Sequence, residues 1–341
     1  MLSAIGQINH PLNIEEKQPT MKNIFRSFYL ALAFITLTAT IKAQTTGGLY
    51  LAYRDNAAGP KYVNYWNNGK SIKLTDGKTF AQALDITLSG NDVYVCGEVY
   101  NKNGDPVATY WKNGKPFVLA NGKTYSTALA LAVSRSDVHV IGNNGRVAMY
   151  WKNGIGTAMG NGITLTDVFV SGADVYISGY QPDENGDYVA TYWKNGKAVK
   201  LASAVPGAEA NGIAVSGTDV YVAGKGINKN GEEIAVCWKN GKETRLAGGT
   251  GAKAVSTSGK DVYFAGFERN AERANIAVIW KNGTPTRLSN SKGGAAVNNM
   301  TTHGQDVYVT GYTEEGATYW KNGKSVLLPN IIGDITGIFV K

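Results

Sequence analysis

Residues 216–246 read SGTDVYVAGKGINKNGEEIAVCWKNGKETRL, and this pattern recurs along the chain. The run Asp219–Val222 follows a glycine-containing turn and is rich in β-branched and aromatic residues, which is typical of a short β-strand. The pair Asn240-Gly241 lies between extended runs and is the strongest short hairpin signal, because both turn residues adopt positive φ. The stretch therefore predicts three consecutive antiparallel strands that end at Leu246.

Seven tryptophans mark the period of the repeat. Their spacings are 45, 40, 42, 45, 42 and 40 residues, and six of them begin a Trp-Lys-Asn-Gly sequence. A strand of small residues such as Gly212–Val215 precedes each Asp-Val motif, so each unit has four strands in about 42 residues. That is the size of a β-propeller blade, and no 3.6-residue apolar period supports helical repeats. The tryptophans are Trp66, Trp111, Trp151, Trp193, Trp238, Trp280 and Trp320.

The two ends of the repeat region complete the count of blades. The first unit lacks a small-residue strand, and the last unit ends in an additional one, Ile335–Val340. Pairing of Ile335–Val340 with Gly48–Ala52 predicts an all-β, seven-bladed β-propeller with four antiparallel strands per blade. In this fold the C-terminal strand closes the first blade, which protects sheet edges that would otherwise pair with other molecules.

Composition agrees with a folded β protein. The 341 residues are 43% hydrophobic and include 42 glycines, which excludes a disordered chain. Only two cysteines are present, so a disulfide framework is excluded. The 34 basic residues exceed the 26 acidic ones, and many lysines fall in the turns after the tryptophans. These lysines either attract polyanions or are solvated charges that maintain solubility, and we favour the second interpretation.

The N-terminal segment is typical of a secretory signal peptide. We predict a signal peptide over residues 1–43, with cleavage after Ala43. We also expect that translation starts at Met21, so that residues 1–20 are a misassigned start. The apolar run Phe28–Ile35 is shorter than the roughly 20 residues that span a bilayer, so a membrane anchor is the less favoured alternative. The expected mature protein is a single propeller domain, residues 44–341, monomeric and secreted or periplasmic, with no stable membrane span.

Differences in repeat length indicate one face of the propeller. They fall in the connections between the second and third strands and between successive blades, which lie on the same face of up-and-down blades; we call it the loop face. Insertions in repeats often mark the binding face. The candidate ligand-binding residues on the loop face are Glu98, Tyr100, Asp105, Tyr180, Asp183, Asp187 and Glu268.

Other candidate chemistry is weaker. The tryptophans could stack on sugars, but filling the gaps between blades is favoured. Asparagine-rich loops such as Asp183–Asp187 resemble a fragment of a calcium loop without its distal glutamate, so hairpin turns are favoured and no metal site is predicted. Asp85, Asp167 and Asn299 share one position in the small-residue strands and are expected at the mouth of the central channel, as an acidic site or as satisfied strand groups.

The repeated pattern of DVYVAG, ATYWKNG and a leucine resembles the secreted seven-bladed β-propeller repeat proteins of Bacteroidetes-type bacteria. The resemblance covers residues 47–341 and implies architecture without a catalytic motif. The third unit departs from the pattern at Arg135, His139 and Met159, which indicates either a specialised blade or sequence drift. No histidine lies in a recognisable triad with a nucleophile and a carboxylate.

Two functions follow from these patterns. The favoured one is an exported, non-catalytic binding protein, such as a lectin, whose ligand is a glycan or an extracellular protein on the loop face. Near-sevenfold repetition suits multivalent binding. The alternative is a polysaccharide hydrolase or lyase with an acidic site at the channel mouth. Whether the chain is an enzyme is left open with a preference against it; no cofactor is expected, and nucleic acid is not an expected partner.

Overall fold

The repeated motifs form strands where the sequence predicts them. We analysed a computed structural model that describes residues 48–55, 62–201, 207–290 and 294–341. The predicted signal peptide, residues 1–43, lies outside the described residues. The strands in chain order are β1 (Leu49–Asp55), β2 (Asn64–Asn67), β3 (Lys70–Lys73), β4 (Ala81–Ser89), β5 (Asp92–Tyr100), β6 (Pro106–Lys112), β7 (Lys115–Val118), β8 (Ser126–Ser134), β9 (Asp137–Asn144), β10 (Val147–Lys152), β11 (Ile155–Asn161), β12 (Thr164–Ser171), β13 (Asp174–Pro182), β14 (Tyr188–Lys194), β15 (Lys197–Lys200), β16 (Glu209–Ser216), β17 (Asp219–Ile227), β18 (Glu233–Lys239), β19 (Lys242–Arg245), β20 (Gly251–Ser258), β21 (Asp261–Arg269), β22 (Asn275–Lys281), β23 (Thr284–Arg287), β24 (Ala296–His303), β25 (Asp306–Thr313), β26 (Gly316–Lys321), β27 (Lys324–Leu327) and β28 (Gly333–Val340).

These strands form seven antiparallel sheets of four strands each. Blade 1 has the order β28-β1-β2-β3, and blades 2 to 7 are β4–β7, β8–β11, β12–β15, β16–β19, β20–β23 and β24–β27. In blade 1, Leu49 pairs with Val340 and Tyr50 with Phe339. The predicted seven-bladed propeller and its closure by the C-terminal strand are therefore confirmed.

Most of the tryptophans lie between adjacent blades. Trp238 of blade 5 is fully buried and shares one hydrophobic cluster with Tyr176 and Ala190 of blade 4. The same burial holds for Trp111, Trp151, Trp193, Trp280 and Trp320, whereas Trp66 is half-buried. Six of the seven tryptophans thus bury a large aromatic area that contributes to the packing of neighbouring blades.

A three-residue clasp joins the two hairpins at one end of each of blades 2 to 7. In blade 2, Asn113 has a φ of 51° and accepts a hydrogen bond from the backbone N–H of Val93 at 2.9 Å. Its amide donates to Asp92 at 2.7 Å, and Lys112 forms an ion pair with the same carboxylate at 2.9 Å. The equivalent ion pairs are Lys152–Asp137, Lys194–Asp174, Lys239–Asp219, Lys281–Asp261 and Lys321–Asp306. The end that carries these clasps is called the turn face below.

In the part of the chain that the structure describes, no helix is long and apolar enough to cross a membrane.

Candidate functional site

Two of the predicted loop-face carboxylates form a hydrogen bond or an ion pair with other side chains of the propeller. Glu98 is 8% exposed and accepts a hydrogen bond from the Thr127 hydroxyl at 2.7 Å, which links blade 2 to blade 3. Glu268 forms an ion pair with Arg287 within blade 6. Both carboxylates therefore have structural partners in the propeller itself.

The remaining loop-face residues lie in or beside hairpins. Asp183 accepts hydrogen bonds from the backbone N–H groups of Asn185 at 2.8 Å and Asp187 at 3.0 Å. The backbone N–H of Asp105 donates to the Asn101 side chain at 3.0 Å in the same arrangement. These contacts are those of hairpin turns. Two aromatic pairs flank these turns, Tyr180 with Tyr188 and Tyr100 with Phe80.

The central channel holds the other predicted group. Asp85, Asp167 and Asn299 line a cavity of about 340 Å³ formed by the first strands of the blades. Asp85 accepts from the backbone N–H of Leu131 at 3.1 Å, and Asp167 accepts from that of Ile213 at 3.0 Å. Each carboxylate thus bridges two neighbouring blades. Among the described residues, no group of three or more His, Cys, Asp and Glu side chains could hold a metal ion.

Dehydration in the channel alters the ionisation of these carboxyls. Burial raises the pKa of Asp85 to about 7 and that of Asp167 to about 6, although the backbone hydrogen bonds oppose the shift. Because the folded state retains these protons to a higher pH than the unfolded state, the two groups favour folding most strongly at acid pH. This contribution is lost as the pH rises through the folded-state values.

A different site lies on the turn face between blades 3 and 4. A cavity of about 550 Å³ opens there, and it contains His139 and Tyr150 of blade 3 and Trp193 of blade 4. Cavities of this size that bring a few polar groups together are the usual form of small-molecule sites. We call this cavity the interblade pocket.

The outer strand of blade 3 leaves the space for the interblade pocket. Tyr150 pairs with Thr157, whereas the equivalent tyrosines of other blades pair with larger apolar residues such as Phe117 and Val199. A bulge at Met159 interrupts the pairing of β10 with β11, and Met159 is half-exposed where five other blades bury a leucine, such as Leu119. Less side-chain volume over Tyr150 therefore opens the pocket.

The substitution at His139 changes the chemistry of the pocket. In four other blades a tyrosine at this position places its hydroxyl 3.3–3.4 Å from the clasp aspartate, as Tyr176 does with Asp174. His139 is 3% exposed, and its Nδ1 lies 2.7 Å from the Tyr150 hydroxyl. One proton is shared in this hydrogen bond, so the pair can give or take a proton on the pocket side.

Burial keeps the pair neutral at physiological pH. Burial lowers the pKa of His139, the positive charge of Lys152 lowers it further, and the negative charge of Asp137 opposes the shift. Burial also raises the pKa of Tyr150. Arg135 is exposed and lines the same pocket. Its backbone is left-handed, with a φ of 57°, at a turn position where other units have a glycine such as Gly172. The residues that line the pocket thus include two cations, Arg135 and Lys152, and one carboxylate, Asp137.

Sequence reasoning identified the unusual blade but not the site. Arg135, His139 and Met159 stand out as departures from the repeat, yet the predicted ligand-binding residues lie on the loop face and the pocket lies on the turn face. Tyr150 carries no signal of its own, because tyrosine is common at its repeat position. Comparing the residues opposite that position, Thr157 against Phe117, was the signal that could have located the pocket.

Comparisons with known proteins show the fold. No protein-family model matches the chain, and no curated protein matches it. A puromycin-hydrolysing peptidase from Mycobacterium tuberculosis is similar in structure, with a TM-score of 0.53 and 11% identity over 81% of this chain and 52% of the peptidase. The acylaminoacyl peptidase of Pyrococcus horikoshii gives 0.49 and 13% over 72% and 45%. The β-propeller domain of the Trilobed protease from Pyrococcus furiosus gives 0.49 and 14% over 71% and 81%.

These comparisons correct the functional prediction. The chain spans about half the length of the two peptidases, and identities of this size show a common fold alone. The puromycin-hydrolysing peptidase is nevertheless an enzyme, which points away from the predicted non-catalytic glycan- or protein-binding module. That prediction is therefore wrong. Six of the repeat tryptophans are buried between blades, as the favoured interpretation of them predicts, so they do not stack on sugars.

The alternative, a polysaccharide hydrolase or lyase with an acidic site at the channel mouth, is not tested by these comparisons and stays a prediction from the sequence. Asp85 and Asp167 both accept hydrogen bonds from the backbone of the next blade, which accounts for their place in the channel.

Proposed function

We propose that this chain is an enzyme that transfers a proton to or from a small anionic carbonyl compound bound in the interblade pocket. The observation that carries the proposal is the 2.7 Å contact between His139 Nδ1 and the Tyr150 hydroxyl at the pocket wall. A histidine and a tyrosine in hydrogen-bond contact can pass one proton between them and onto a bound substrate.

Each group has a defined part in this proposal. The Tyr150 oxygen takes the α-proton from the substrate carbon while its own proton passes to Nδ1 of neutral His139, which leaves an enolate and an imidazolium. The reverse transfers return a proton or a solvent deuteron to the carbon and restore the neutral pair. Arg135 attracts the negative group of the substrate, since opposite charge near a partly closed site raises the local concentration of an ion, whereas Lys152 is already paired with Asp137.

The peptidases similar in fold suggest no mechanism for this pocket. Their names describe whole proteins about twice as long as the matching part, and His139 contacts a tyrosine rather than a serine in the described structure. The signal peptide, the export of the chain and its monomeric state remain predictions from the sequence.

Hydrogen exchange in a ligand tests the proposal. In D₂O, the wild-type protein is expected to accelerate exchange of the carbon-bound α-protons of small keto acids such as pyruvate, followed by proton NMR. His139→Tyr restores the residue of the other repeats and should therefore fold, but it removes the ring nitrogen and should reduce the exchange rate by about 100-fold, the range for loss of a general acid–base group.

Tyr110→Phe is the matched control, because Tyr110 occupies the position of Tyr150 in blade 2, where Phe117 stacks on the ring. It should leave the exchange rate unchanged. Exchange equal to that in buffer across a panel of keto acids, or full activity in His139→Tyr, would refute the proposed function.

A further inference from the structure

The apolar wall of the interblade pocket comes from blade 4. Val170 pairs with Val175, and Ile177 pairs with Trp193, so all four side chains lie on one face of that sheet. All four line the pocket. Ile177 and Trp193 are buried, whereas Val170 and Val175 are half-buried. The blade 4 wall of the pocket is therefore apolar and partly uncovered.

The equivalent wall is covered in the neighbouring gap between blades 2 and 3. There the same face of blade 3 packs in one hydrophobic cluster with four side chains of blade 2. The blade 2 residues are Tyr94, Tyr110, Phe117 and Leu119, which correspond in that order to His139, Tyr150, Thr157 and Met159 of blade 3. A threonine thus replaces a phenylalanine, which removes an aromatic ring from the gap between blades 3 and 4.

The missing ring leaves Tyr150 less covered than its blade 2 equivalent. The rings of Tyr110 and Phe117 stack with centroids 4.8 Å apart and planes 6° apart, and Tyr110 is 6% exposed. Tyr150 is half-buried and pairs with Thr157, which is itself exposed. Stacking of two aromatic rings is favourable beyond the area that it buries. The space beside Tyr150 therefore suits a flat aromatic ring.

We infer that the substrate of the interblade pocket carries an aromatic ring, which stacks on Tyr150 in the place that Phe117 occupies in blade 2. The ring contacts Val170 and Val175 of blade 4, and the carboxylate of the substrate faces exposed Arg135. The volume of about 550 Å³ agrees, because pockets of this size enclose ligands much larger than a three-carbon keto acid. That the ligand is a substrate rests on the proposed function, whereas its ring and its charge rest on the pocket alone.

Binding of 4-phenylbutanoate to the full chain tests the ring without the chemistry, because this anion has no keto group to enolise. In protein labelled with ¹³C at the methionine methyl groups, the Met159 resonance is assigned by its loss in Met159→Leu. It should shift and saturate, because Met159 lines the pocket. Butanoate lacks the ring and should bind at least about tenfold more weakly. The Met300 resonance, from the central channel, should not move.

Thr157→Phe fills the proposed site from within the chain. It restores the blade 2 residue at an exposed position and should therefore fold, but it should weaken binding of 4-phenylbutanoate by at least about tenfold. Thr286→Phe is the matched control, because Thr286 is also exposed and occupies the same repeat position in blade 6, opposite Ile279. It should bind as the wild type does. Equal affinity for 4-phenylbutanoate and butanoate, or wild-type binding in Thr157→Phe, would overturn the inference.

Hydrogen exchange separates this inference from the proposed function. The compounds 2-oxo-4-phenylbutanoate and 2-oxobutanoate exchange the same type of α-proton and differ only in the phenyl group. The ratio of their kcat/KM values should be at least about ten in favour of the first. Exchange of both at equal kcat/KM would overturn the inference and leave the acid–base function standing. Ring-dependent binding without exchange of either compound would refute the function and support the ring site.

Discussion

His139 is one residue whose surroundings set its ionisation. Its imidazole is buried beside Lys152, and both burial and that charge lower its pKa below the ordinary 6.5. The unfolded chain therefore takes up the proton first as the pH falls. Folded stability decreases as the pH drops from 6.5 through the lower folded-state pKa, and at higher pH His139 has no effect on it.

Replacing Lys152 should raise that pKa. In Lys152→Met the positive charge is lost and Asp137 loses its ion-pair partner at 2.8 Å, and both changes favour imidazolium. NMR titration of the His139 ring protons should show a pKa higher than in the wild type. Lys281→Met breaks the same clasp in blade 6, away from His139, and should leave the value unchanged. An unaltered His139 pKa in Lys152→Met would contradict the electrostatic explanation.

At the scale of the single hairpin, the clasp explains why asparagine precedes glycine in the repeat turns of blades 2 to 7. Asn113 combines a left-handed backbone with two hydrogen bonds to blade 2, one of them to the charged Asp92. Asparagine adopts positive φ more readily than most residues, and its amide can both donate and accept. One side chain therefore turns the chain and fastens two hairpins together.

Substitution of Asn113 separates these two contributions. Asn113→Ala should lower the free energy of unfolding by about 2–3 kcal/mol, because two hydrogen bonds are lost and alanine disfavours positive φ. Asn113→Gly loses the same bonds but tolerates the backbone, so it should cost about 1 kcal/mol less. Urea denaturation measures both. Equal costs for the two variants would show that the backbone conformation is not strained in the alanine variant.

At the scale of the whole molecule, the ring depends on β28. Ile335, Ile338 and Val340 are buried in one cluster with Leu49 and with Tyr308 of blade 7. This strand therefore completes blade 1 and covers the side of blade 7 at the same time. Hydrogen bonds in the channel continue the ring, since the Thr336 hydroxyl donates to the backbone oxygen of Ala83 in blade 2 at 3.1 Å.

Truncation of a side chain in β28 should therefore be costly. Ile335 is fully buried, and Ile335→Ala is expected to lower the free energy of unfolding by about 2–5 kcal/mol, the range for buried aliphatic truncation. Val118→Ala in the outer strand β7 is the matched control, because Val118 is 66% exposed and its loss should cost less than about 0.5 kcal/mol. Similar small effects in both variants, by thermal or urea unfolding, would show that closure adds little stability.

The repeat made the fold accessible from the amino-acid sequence. Turn residues that need positive φ and strands with a fixed period are local features, and seven copies of them leave one ring-shaped arrangement that pairs the last strand with the first. The burial of the tryptophans between blades followed from the same periodicity. Tertiary structure decided the site, because the interblade pocket arises where side chains from two neighbouring blades fail to fill space. Thr157 faces Tyr150 across one hairpin, but only the closed ring places Trp193 of blade 4 in the same pocket.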